Sequence, residues 1–134
     1  MMKTLPLRLG PGDDLRGVLE AAVAAQGCGA AFVLAGIGSL SVTCLRFAGA
    51  DEASVLNGDV EILTLSGSIA ANGAHLHASV ADASGRVLGG HVAPGCVVRT
   101  TAEVLLALLP EWQFAREPDA ATGYAELVLR ERRT

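Results

Sequence analysis

The chain has few charges, few cysteines and no long apolar run, and each shortage closes off a class of protein. No stretch approaches the roughly 20 apolar residues that a membrane-spanning helix needs. The longest runs, Ala30 to Ile37 and Val104 to Leu109, have the length of core elements. The N-terminus, MMKTLPLRLGPGDD, lacks a continuous apolar segment and a small-residue cleavage site, so a signal peptide is not expected. The three cysteines, Cys28, Cys44 and Cys96, are scattered, odd in number and form no CxxC. That excludes a disulfide framework and points to a reducing compartment, the cytoplasm. Charged residues are only 18% of the chain and its net charge is −4. A domain that neutralises nucleic-acid phosphates carries a basic stripe. Here the one basic cluster is the tail, Arg130, Arg132 and Arg133, broken by Glu131.

What is present is apolar. Hydrophobic residues make up 51% of 134 positions, enough for one domain over residues 1–134 with a real core. A monomer of this size has too much surface to hide that share, so part of it is expected in a subunit interface.

KTLPLRL reads as a strand, with Leu5, Leu7 and Leu9 on one face. Gly10-Pro11-Gly12 ends it, and Asp13 or Asp14 caps a helix. Leu15, Val18, Leu19, Ala22 and Val23 form its apolar stripe, and Gly27 its end. AAFVLAGIG and SLSVTCLRF read as two strands, GADEASVLNGD as a polar loop, and VEILTLSGSIA as a strand. Gly67 in that strand marks a bulge or a close backbone approach. Thr100 and Glu103 match a capping box and predict a second helix from Ala102 to Leu109, stopped by Pro110. ELVLRER reads as an edge strand. The sum is seven or eight strands and two helices, an α+β domain dominated by an antiparallel sheet.

The chemistry concentrates in GAHLHASVADASGRVLGGHVAPG, which holds all three histidines. On a strand, His75 and His77 project to one face, with Leu76, Ala78 and Val80 on the other. Ala83-Ser84-Gly85 suits a three-residue hairpin loop with Gly85 in the left-handed position. That register pairs Asp82 with Arg86 and sets His77 opposite His91, with Cβ atoms about 4.5–5.5 Å apart. Gly89 and Gly90 could bulge the strand and re-aim His91. His75, His77 and His91 are therefore a candidate divalent-metal site. Zinc comes first, and nickel, copper and iron also suit imidazole. Three protein ligands leave a fourth position for water or substrate, and Cys96 is a lesser candidate to close it. Ligation needs neutral rings, so affinity should fall below about pH 6.5. The alternative is a hydrogen-bonded histidine patch with no metal.

Other residues carry less. The capping box accounts for Glu103, and the turn for Asp82 and Ser84. Arg46 and Arg99 could meet an anion, though exposed arginines need no function to explain them. Gly36 and Gly38 in AGIGSL give no GxGxxG, which argues against a dinucleotide site. No HExxH is present, and no nucleophile–base pair can be placed, so the residues do not decide whether the chain is an enzyme.

Three segments, IGSLSVTCLRFAG, VEILTLSGSIA and HLHASVADASGRVLGGHVAPGCVVRTTAEVLL, resemble the PPC domain family (plants and prokaryotes conserved, also known as DUF296). The resemblance implies a compact α+β fold and a homotrimer associated with DNA-binding and transcription factors. Plant members grip DNA through an AT-hook with an R-G-R-P core, which this sequence lacks. Prokaryotic single-domain members keep a histidine pattern that His75, His77 and His91 match. Two functions follow as expectations. One is a trimeric divalent-metal protein with room for a small-molecule ligand. The other is a DNA-associated regulatory or scaffolding protein acting through its trimer surface.

Overall fold

The computed structural model describes residues 1–133 of the 134. It has eight strands and one helix in the order β1 (Lys3–Leu9), α1 (Leu15–Ala25), β2 (Ala30–Arg46), β3 (Ser54–Ala70), β4 (Gly73–Ala81), β5 (Val87–Val92), β6 (Val97–Leu108), β7 (Trp112–Pro118) and β8 (Ala125–Glu131). Six strands form one antiparallel sheet in the order β1-β6-β2-β3-β4-β5. The far end of β2 also pairs β5, through Leu45 with Val92 and Arg46 with His91. The sheet thus closes on itself across β2, β3, β4 and β5. β7 and β8 make a separate two-stranded ribbon. No helix among the described residues is long and apolar enough to cross a membrane.

The second expected helix is a strand. Thr100 does not cap: its hydroxyl shares a 2.7 Å hydrogen bond with the Ser39 hydroxyl, and its amide donates to the same oxygen. β6 buries Val98, Ala102, Val104, Leu106 and Leu108. That is a period of two, and the β-branched run Val97, Val98, Thr100 and Thr101 favours extended backbone. The pairing surface offered by β1 and β2 decides against a local capping pattern. AAFVLAGIG and SLSVTCLRF are one 17-residue strand rather than two. The polar loop is shorter than expected, because Ser54 to Asn57 pair with the end of β2.

The first helix matches its sequence pattern. Asp14 caps it, accepting from the Gly17 amide at 2.8 Å. Its other carboxylate oxygen accepts from Gly95 at 2.7 Å, which ties the helix start to the turn after β5. Leu15, Leu19 and Val23 are buried among Leu40, Leu45, Ile69, Leu76, Val92 and Val98. Each such side chain contributes about 1.5–3 kcal/mol of burial. A second, smaller cluster of Ala30, Ala70 and Phe114 attaches the ribbon to the sheet.

Candidate functional site

The hairpin carries the site. Asp82 accepts three hydrogen bonds at its Oδ1, from the Ser84 amide and hydroxyl and from the Arg86 amide. Its backbone amide donates to the Arg86 carbonyl at 2.9 Å, and Gly85 sits at φ +81°. This loop sets the register: Ala81 faces Val87, Val80 faces Leu88, and His77 faces His91. The Gly89-Gly90 pair does not bulge the strand. Gly90 lies so close to β2 that an added Cβ would stand 2.8 Å from the Arg46 carbonyl oxygen.

The three imidazoles converge. Their ring centroids lie 4.8 Å (His75–His77), 5.2 Å (His75–His91) and 5.8 Å (His77–His91) apart. One potential ligand nitrogen from each falls within 4.8 Å of the others, and the group could hold a metal ion. The Nε2 atoms of His75 and His77 are 3.2 Å apart. Two nitrogens on a tetrahedral zinc, each about 2.0–2.1 Å from it, are separated by about 3.3 Å. At this distance the two rings also hydrogen-bond each other, the tautomers setting which nitrogen donates.

The surroundings disfavour charge on two of the rings, His91 and His75. Burial first, then the guanidinium of Arg46, His75 and the guanidinium of Arg16, push His91 down from 6.5 to about 4. His75 is also lowered, by burial and then by Arg116 and His77. Neutral imidazole is the form that ligates a metal. Proton competition at His91 therefore begins well below the ordinary histidine value. The Nδ1 of His91 is buried with no hydrogen-bond partner among the described residues.

A stability prediction follows for the metal-free protein. The unfolded chain takes a proton at His91 near pH 6.5, whereas the folded chain refuses it until about pH 4. Between these values unfolding takes up protons, so stability should fall as pH drops through that window. Urea midpoints measured from pH 7 to pH 4 should show the fall, and His91→Gln should make it shallower. Equal slopes for the two proteins would contradict this.

Cys96 is not part of the cluster. Its thiol is buried and donates to the Cys44 carbonyl, while the Cys44 amide donates to its sulfur. Burial raises the thiol to about 11, so it stays protonated. Glu103 lies on β6, paired with Arg8 of β1 and Ile37 of β2. Arg99 forms an ion pair with Asp59 at 3.3 Å. Asp82 and Ser84 serve the turn.

Beside the histidines opens a cleft of about 520 Å³ lined by His75, His91, Arg16, Arg46, Arg116 and Glu126, among others. The sequence reading flagged Arg46 alone of these arginines. Arg16 sits on α1 and Arg116 on β7, and no local pattern relates them to His75, 59 residues after the one and 41 before the other. Only the topology brings them together.

A single small sheet closed across β2, with three imidazoles on one exposed hairpin face, defines an α+β domain with a candidate metal centre. Residues 1–110 match the family model of the Plants and Prokaryotes Conserved (PCC) domain, and the chain belongs to that family. Two Synechococcus proteins named bifunctional protein GlmU are 51% identical over 126 residues. The match covers 94% of this chain, which spans about a fifth of the length of those relatives (20%). Among solved structures, a hypothetical protein from Salmonella cholerae-suis is 39% identical with a TM-score of 0.95, covering 98% of this chain and 96% of its own. A metal-containing protein from Archaeoglobus fulgidus is 26% identical with a TM-score of 0.77, covering 94% and 93%. A protein of Ralstonia eutropha JMP134, described as a candidate DNA-binding protein, is 25% identical with a TM-score of 0.76, covering 95% and 90%.

Proposed function

We propose that this chain is a homotrimeric PCC-domain protein that binds one divalent metal per subunit, zinc first, through His75, His77 and His91. The convergence of three imidazoles, each with a ligand nitrogen within 4.8 Å of the others, carries the reading. The metal-containing Archaeoglobus relative supports it. These three side chains would hold the ion and leave a position open to a small-molecule ligand. When bound there, zinc would supply Lewis acidity and lower the pKa of a coordinated water to about 7. Elemental analysis of protein purified without a histidine tag tests the reading, and about one metal per chain is the expected result.

The trimer rests on exposed apolar residues. Leu34 is 52% exposed and Ile37 54%, both on β2, with Leu63 on β3 at 45%. Large apolar side chains left in water are candidates for burial between subunits. Light scattering in dilute buffer should give three times 13.7 kDa. A stable monomer at micromolar concentration would contradict it.

The regulatory reading takes its support from the Ralstonia relative. The net charge of −4 and the absence of an R-G-R-P core weigh against direct DNA contact. Nanomolar gel-shift binding to duplex DNA at physiological salt would reverse that ranking, since non-specific binding lies at about 10⁻⁴–10⁻⁶ M.

A further inference from the structure

The geometry points to an oxyanion-binding subsite beside the histidines, formed by Arg16, Arg46 and Arg116, that takes the acidic end of a small ligand. The inference deepens the metal reading, on which it rests for the ligand's other end.

The arginines come from three separate elements and meet in one cleft. Arg16 extends from α1. Its Nη1 donates to the Val92 carbonyl at 3.2 Å and points to the His91 Nε2 at 3.5 Å. Arg46 closes β2 opposite His91 and donates to the Ala50 carbonyl at 3.4 Å. Arg116 projects from β7, its Nη2 donating to the Ser68 hydroxyl at 2.8 Å. The backbone of Arg116 is clamped by Asn72, which accepts from its amide at 2.7 Å and donates to its carbonyl at 2.9 Å.

Two of the three charges are not spent inside the chain. Arg16 pairs with Glu20 at 3.3 Å. Neither Arg46 nor Arg116 has a carboxylate within ion-pair distance among the described residues. The cleft lining holds Asp51 and Glu126 against three guanidiniums, so it is net positive in a chain of net charge −4. The Nε of Arg116 is buried with no hydrogen-bond partner among the described residues. Gathering like charges and burying an unpaired donor both cost free energy. An anion with two or three oxygens relieves the first, because the planar guanidinium fork fits carboxylate and phosphate oxygens in pairs.

The cleft volume, about 520 Å³, falls in the range of small-molecule sites. His75 and His91 line it directly. A ligand held at its acidic end by the arginines would thus present its next atoms to the imidazole cluster. Carboxylate and phosphate share this chemistry. The ribbon that supplies Arg116 and Glu126 lies beyond residues 1–110, the span of the family match. The subsite therefore depends on a part of the chain that the family match does not cover.

The test is calorimetric titration of the zinc-loaded protein with inorganic phosphate and, separately, acetate, with metal content measured on every sample. At least one anion should bind in the millimolar range or tighter, and the tighter of the two names the ligand class. Arg46→Gln and Arg116→Gln should each weaken that binding about tenfold or more, with zinc content unchanged. Arg46 makes a single bond to a loop carbonyl, so Arg46→Gln carries the test if Arg116→Gln does not fold. Zinc-loaded protein that takes up neither anion, or variants that bind as well as the parent, would overturn the subsite and leave the metal reading intact. Arginine-dependent phosphate or acetate binding by protein that holds no zinc would overturn the metal reading and uphold the subsite.

Discussion

Replacing His77 with alanine should strip the metal from the protein and leave the fold standing. His77 is exposed on β4, so its ring adds little to the core. It is also central, facing His91 across the hairpin and lying 3.2 Å from His75 at Nε2. Removing an outer partner of a metal ligand costs about 10–100-fold in affinity, and removing a ligand should cost more. Metal content should drop from about one per chain to the detection limit, while the unfolding free energy of the metal-free form, measured in urea, changes by no more than about 0.5 kcal/mol. The neighbouring Leu76→Ala is the control of opposite sign. Leu76 is fully buried, and the cavity should cost about 2–5 kcal/mol while metal content holds. If His77→Ala keeps its zinc, the three-imidazole site is wrong, whatever the stability data show.

The hairpin was legible because its instructions are local. Asp82, Ser84 and Gly85 fix a loop geometry, the loop fixes a register, and the register sets His77 opposite His91 without reference to the rest of the chain. The first strand and helix were legible for the same reason, since KTLPLRL alternates and Asp14 caps. The error over Ala102 to Leu109 has the converse cause. A Thr-x-x-Glu pattern is a local signal, but β6 is placed between β1 and β2, and those pairings lie far away in sequence. The β7 strand went unread because WQFAREP shows little alternation. Its burial comes from Phe114 meeting Ala30 and Ala70 at long range. The arginine cleft belongs to the same category. Arg16, Arg46 and Arg116 converge only after the sheet has closed and the ribbon has docked, and nothing near any one of them announces the other two.

Gly67→Ala should be among the most damaging single changes in the chain, and it should damage the metal site with the fold. Gly67 lies on β3 opposite Leu76, one position from the Ser68–His75 pair. Its φ is +140°, where an L side chain is strained. An added Cβ would collide with the His75 carbonyl oxygen and stand 2.9 Å from both the His75 carbonyl carbon and the Leu76 Cα. These atoms are backbone, so no rotamer change relieves the clash. Strain and overpacking each cost about 1–3 kcal/mol, and together they should remove about 3 kcal/mol or more. Relief requires β4 to move away from β3, and β4 carries both His75 and His77. Gly85→Ala separates conformation from crowding. Gly85 also has positive φ, at +81°, but an added Cβ there meets nothing within 4 Å. It should cost only the left-handed penalty, about 1–2 kcal/mol, and keep its zinc. Chemical denaturation and metal analysis of the two alanine variants side by side decide the matter. Equal losses of stability would mean that backbone angle alone matters at Gly67 and that the approach of β3 to β4 does not position the histidines.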